Sequence, residues 1–147
     1  MPTSIVISSD DARSRALLAV SQAPPGAFVT IKEDGEKRRD RQNRFAFEVY
    51  NQVAKIFGDR TPSDIRAESK LCVGVPILRS NNDDFRERYD RIVRPLPPET
   101  KLELMTEPIE LPVTSLMTVK VMAEYITQLL QYWDERGAPA MLERYDL

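Results

Sequence analysis

Two stretches of this sequence carry apolar residues at the spacing of a single buried helix face, and they restrict the possible folds more than any other feature. In the first, Ala46, Val49, Tyr50, Val53, Ala54 and Phe57 recur at i, i+3, i+4, i+7, i+8 and i+11. In the second, Met122, Tyr125, Ile126, Leu129, Leu130 and Trp133 repeat the pattern. A helix turns once in 3.6 residues, so each set forms one stripe that has to leave water. The spacing predicts helices over 41–57 and 119–136. Gly58 and Gly137 stand where these helices would end in left-handed caps, and Thr118 where the second would start.

Weaker signals fill the intervals. Ser8 or Ser9 ahead of Asp10-Asp11 opens a helix over 10–22, with Ala12, Ala16, Ala19, Val20 and Ala23 on one stripe; Pro24-Pro25-Gly26 closes it. Two β-branched runs flank that helix, residues 4–8 and 27–32, and read as strands. Asp34-Gly35 reads as a turn. Thr61-Pro62-Ser63-Asp64 is a helix start, predicting a helix to about residue 73 that Gly74 and Pro76 would stop, with 75–78 extended. Asn81-Asn82-Asp83-Asp84 opens a helix to about residue 93. On it Arg86, Arg88, Arg91 and Arg94 alternate with acids, the pattern of a solvated, ion-paired face. Residues 101–105 fit a short helix or a strand. Together these elements predict one domain over 1–147, of the α/β (α+β) class, with a small N-terminal sheet packed by helices and an α-rich C-terminal half.

The feature that bears on function lies between the second expected strand and the first striped helix. Residues 37–44 read Lys37, Arg38, Arg39, Asp40, Arg41, Gln42, Asn43, Arg44, a local charge of +4 in a chain of net charge -2. Taken as a basic loop entering a helix capped by Asp40, the stretch joins cationic side chains to free N–H groups, which suits a polyanion. A solvated charged turn is the competing reading. Gln42 and Asn43 either touch the ligand or hold the turn. The aromatics Phe45, Tyr50, Tyr125 and Trp133 are expected in the core, and Phe47 lies off its stripe.

Other chemistry is limited. There is no histidine, which excludes His-dependent triads and Cys/His zinc sites. The single cysteine, Cys72, sits in an apolar run and is expected in the core. No catalytic residue, cofactor or metal ligand set is expected. The acids Glu33, Asp34, Glu36 and Asp40 near Lys37 leave a magnesium-dependent nuclease as an alternative. A protein-interaction module whose basic segment meets an acidic partner is the other. No apolar run reaches membrane-spanning length and no leader pattern opens the chain, so a cytoplasmic protein is expected.

Three features occur in order: the N-terminal segment 4–32, the run Arg39-Asp40-Arg41-Gln42-Asn43-Arg44 opening a striped helix, and Thr114-Ser115-Leu116-Met117-Thr118-Val119 opening a last helix that ends in Glu135-Arg136-Gly137. In this the chain resembles the NinB (Orf) family of phage recombination mediator proteins, from about Ile5 to Ala138. The resemblance implies an α/β fold, a homodimer, and binding of single-stranded DNA in preference to duplex. It further implies help in loading a recombinase onto strands coated with single-strand-binding protein in a bacterial host, without nuclease activity. Lys37, Arg38, Arg39, Arg41, Gln42, Asn43 and Arg44, with Ser115 and Lys120, are the DNA-binding residues expected on this reading.

Overall fold

Each apolar stripe forms the helix its spacing predicts, and the two helices lie along each other. The computed structural model describes residues 4–31 and 34–140. The chain divides into two compact units, Met1–Glu33 and Asp34–Leu147.

In the second unit, α2 (Asp34–Phe57) and α7 (Val119–Glu135) form the frame. Gln42 meets Val119, Tyr50 meets Tyr125 and Phe57 meets Trp133, a constant offset of 75 to 77 residues. A constant offset means the helices run parallel, in register, over about 22 Å at 1.5 Å per residue. Between them α3 (Pro62–Ser69), α4 (Val75–Asn81), α5 (Asp83–Ile92) and α6 (Pro98–Leu104) return the chain. Val49, Val53, Tyr125, Ile126, Leu129 and Trp133 are fully buried, with Ile65 and Leu78 from the returning helices. Several buried polar side chains of this core are paired: the Tyr50 and Tyr125 hydroxyls lie 2.7 Å apart, and Trp133 Nε1 donates at 2.9 Å to Ser69 Oγ, which donates to the Ile65 carbonyl. Burial pushes the Tyr50 phenol up to about 12 and that of Tyr125 well above its ordinary value, so both stay neutral.

The caps follow the sequence. Thr61 and Asp64 form a reciprocal capping box, Thr118 Oγ1 accepts from Val121 N–H, and Gly58 and Gly137 take φ of +78° and +85°.

Several expectations are corrected. There is no sheet: the described residues contain helices and no strand, so the protein is helical rather than α/β. β-branched residues favour a strand only when a neighbour supplies a ladder. Residues 4–8 and 27–31 form none, and Ser8 N–H instead turns back to the Val6 carbonyl; Lys32 lies outside the described residues. Among its described residues the first unit therefore consists of α1 (Asp10–Gln22), capped where Ser9 Oγ accepts from Ala12 N–H, between non-ladder segments. The anticipated turn at Asp34-Gly35 is the first turn of α2, so Asp40 is an interior residue and not a cap.

Gly74 and Pro76 do not end their helix. A proline ring clashes with the carbonyl four residues back, here that of Cys72. Over Lys70–Gly74 the chain widens into a π turn, with Val75 N–H donating to the Lys70 carbonyl, and α4 continues beyond it. A Cβ on Gly74 would sit 2.9 Å from Val113 Cγ1 and 3.4 Å from the Tyr125 ring, so this glycine serves close packing. The extra residue shifts the helical phase by about 100°. Cys72, expected in the core, lies within this turn and is exposed, and Lys70 at its start is buried.

Lys70 is 2% exposed, and among the described residues its Nζ has only a long 3.5 Å contact, to the Met105 carbonyl. Burial first, then the Arg66 guanidinium, lower its pKa to about 8, with Glu110 opposing. An unfolded lysine titrates near 10.4, so between pH 8 and 10 the unfolded chain binds more protons and stability rises with pH. The penalty is complete below pH 8. Lys70→Met is expected to raise stability at pH 7 by about 1–3 kcal/mol and to flatten the rise between pH 8 and 9.5, measured by urea unfolding. A less stable variant at pH 7 contradicts this account.

Candidate nucleic-acid interface

The basic run 37–44 lies within α2, so its backbone N–H groups are engaged in the helix and what it offers a ligand is side chains. Counting from the buried stripe at 100° per residue, Lys37, Arg41 and Arg44 fall on the opposite, outward face at i, i+4 and i+7. Lys37, Arg38, Arg39, Arg41, Asn43 and Arg44 are all exposed. Among the described residues none of the five basic side chains forms an ion pair with a carboxylate.

Several arginines elsewhere are ion-paired. Arg79 forks onto Asp90 with two bonds of 2.7 Å, which holds the Asp90 carboxyl below its usual range. Arg86, Arg91 and Arg94 pair with Asp83, Glu87 and Asp90. Arg60 pairs with Glu68 and Arg66 with Glu110. Of the four arginines expected on an ion-paired face, Arg86, Arg91 and Arg94 are paired, whereas Arg88 has no carboxylate partner among the described residues.

Gln42 and Asn43 separate. Gln42 is fully buried; its Nε2 donates to the Val119 carbonyl at 2.8 Å, while its Oε1 has no partner among the described residues. In this geometry Gln42 is a brace between α2 and the first turn of α7, and Asn43 remains on the surface.

That brace brings together the two segments singled out in the sequence. Residues 34–41 of α2 extend past the level at which α7 begins. The short 3₁₀ turn Thr114–Leu116 leads into α7 at the same end. Ser115 and Lys120 are exposed there, and Thr118 is occupied as the cap. The N-terminal ends of two parallel helices, both positive dipole ends, therefore share a side of the unit with the basic run.

Other expectations can be placed. Glu33, part of the nuclease alternative, lies outside the described residues. Among the described residues no group of three or more Cys, Asp or Glu is arranged to hold a metal ion. Among them no helix is long and apolar enough to cross a membrane. Tyr50, Tyr125 and Trp133 are buried, as expected of core aromatics. Phe47 is not, being 51% exposed on the flank of α2 one turn beyond Asn43 and Arg44, with the Arg66 guanidinium 5.3 Å from its ring centroid. Arg66 was not a site candidate in the sequence. Its place beside Phe47 depends on how α3 packs on α2, for which no local pattern exists. No protein-family model, curated protein or solved structure matches the chain.

The brace can be tested apart from any ligand. Gln42→Leu removes one hydrogen bond and one unpartnered acceptor together, and is expected to change stability by less than about 1 kcal/mol. Gln42→Glu places a carboxylate in the same site and is expected to cost about 2–4 kcal/mol at pH 7. Burial raises that carboxyl's folded pKa above its unfolded value. The loss should therefore shrink as pH falls towards 4, as followed by thermal unfolding.

Proposed function

We propose that this protein is a non-catalytic accessory factor of DNA recombination that binds single-stranded DNA, in the manner of the NinB mediators it resembles. The observation that carries the reading is the run of five exposed basic side chains on α2, none ion-paired among the described residues, in a chain whose net charge is -2. Phosphate contacts by Lys and Arg are independent of sequence, as a factor acting on any strand requires. Lys37, Arg41 and Arg44 form the phosphate-tracking stripe. Arg38 and Asn43 lie to its sides, Arg39 projects from the α7-facing side of α2 ahead of the start of α7, and Ser115 and Lys120 extend the surface there. Gln42 acts by holding α7 to α2. The ligand in the cell is a strand coated with single-strand-binding protein, on which this factor assists a recombinase, in the cytoplasm of a bacterial host.

Fluorescence anisotropy with a labelled single-stranded oligonucleotide at 50 and 200 mM salt tests this. Wild type is expected to bind without cutting, with or without magnesium. Arg38/Arg39/Arg41→Ala is expected to lose at least about tenfold in affinity at low salt, with a salt slope shallower by about 2. Absence of wild-type binding at 50 mM salt would sink the proposal. Cleavage with magnesium would turn it towards the nuclease, and binding only to an acidic peptide towards an interaction module.

The reading includes a homodimer. The stripes of α2 and α7 are consumed in the core, so the seam has to lie elsewhere. Among residues 4–31 only Ala12 is buried, while Val6, Leu17, Leu18, Phe28, Val29 and Ile31 are exposed, Phe28 at 99% and Ile31 at 85%. A unit of this size that buries so little lacks a core of its own. Covering these side chains with a second copy removes them from water. Phe28→Asp/Ile31→Asp is expected to convert a dimeric wild type to monomer in sedimentation analysis at micromolar concentration. A double variant of unchanged mass, or a monomeric wild type, removes this seam.

A further inference from the structure

We infer that Phe47 is a base-stacking platform, with Arg66 as its backing, for one nucleotide of a single strand whose phosphates follow Lys37, Arg41 and Arg44. This rests on the single-stranded-DNA reading above and specifies how a base is held on that surface.

The ring is placed for it in three respects. First, α2 turns Phe47 away from the core stripe and leaves it 51% exposed, while Tyr50, next along the helix surface, is buried. Tyr50 packs edge-on against Phe47 at 5.9 Å and 77°, which fixes one edge of the ring. Second, the Arg66 guanidinium lies 5.3 Å from the ring centroid and is itself held by a 2.6 Å ion pair to Glu110. A cation over an aromatic ring is attracted by its quadrupole, so the ring is held by the charge above it as well as by the edge beside it. The rest of the ring stays open. Third, helical side chains lean towards the N-terminus, so Phe47 leans towards Asn43 and Arg44, one turn before it.

Single exposed apolar residues are ordinary on a protein surface. Phe47 differs in having its orientation set from two sides while its remaining surface is in water, about 4.5 Å along the helix beyond Arg44, the last cation of the stripe. Stacking on an aromatic tolerates any base and complements phosphate contacts that also ignore sequence. The amide of Asn43, exposed on the same flank, can donate to or accept from a base edge or a sugar-phosphate oxygen.

The test compares two strands of equal length by anisotropy: oligo-dT and the same backbone with abasic residues. Phe47→Ala and Phe47→Leu are expected to weaken oligo-dT binding about 5- to 100-fold and to leave the abasic strand and the salt slope unchanged. Phe47→Trp is expected to keep wild-type affinity and to lose indole emission when oligo-dT is added, against the background of the buried Trp133. Circular dichroism confirms that each variant is folded; Phe47→Leu keeps the apolar bulk if Phe47→Ala does not fold. Unchanged oligo-dT affinity in the folded Phe47→Leu variant, or an equal loss on both strands, overturns the platform while the single-strand reading stands. Wild-type binding to neither strand removes that reading itself, and the platform with it.

Discussion

The second unit depends on the register between α2 and α7. Apolar stripes alone would let two parallel helices slide by a turn with little change in buried area. Polar ties at fixed heights do not allow it. The Gln42 amide reaches the Val119 carbonyl and the Tyr50 and Tyr125 hydroxyls meet at 2.7 Å, while Trp133 Nε1 ties α7 to Ser69 Oγ of α3, which packs on α2. A slip of one turn would leave a buried phenol or indole N–H unpaired, at a penalty of about 1–3 kcal/mol for each group. The stripes supply most of the stabilisation and the ties select one alignment from several. Parallel neighbours also need a long return path, which accounts for the 61 residues between Phe57 and Val119 and for the turns of α3 to α6 packed within them.

The same register sets where the surface chemistry lies. Because α2 starts earlier relative to its partner, its basic turns project past the start of α7. The 3₁₀ turn carrying Ser115 is brought to the same end. Gln42 is the hinge of that arrangement. Its type suggested either a ligand contact or a brace, and burial decides in favour of the brace, since a side chain with no exposed surface reaches a ligand only through what it positions.

What could be read from the sequence was local and periodic. The start of α1 at Asp10, the Thr61 capping box, the Asn82 cap of α5 and the span of α7 all follow from side chains within four residues of one another. What could not be read depended on distant partners or on geometry a pattern does not encode. The runs at 4–8 and 27–31 have strand composition, but a strand also needs a ladder, and composition cannot supply one. Asp34-Gly35 has the chemistry of a turn and also that of a helix start, and a helix of 24 residues resolved the ambiguity. Pro76 reads as a stop, yet a π turn lets the helix pass it, with Cys72 exposed within that turn and Lys70 buried at its start. For the candidate site, the charge of residues 37–44 was legible, whereas the burial of Gln42 and the meeting of Phe47 with Arg66 are tertiary facts.

The two arginine-rich surfaces show why composition alone cannot assign a polyanion site. On α5, acids stand at i−3 or i−4 from Arg86, Arg91 and Arg94, and each pair closes locally. Around Arg41 the residues at i±3 and i±4 are Lys37, Arg38, Arg44 and Phe45, so the helix offers it no carboxylate. Like charges at these offsets repel, which destabilises the turn until an external anion neutralises them. The net charge of -2 does not cancel this attraction. At physiological ionic strength exposed charges are screened beyond roughly 8 Å, so a strand passing over α2 responds to the local charge of +4 over residues 37–44 and little to acids on the far side of the protein.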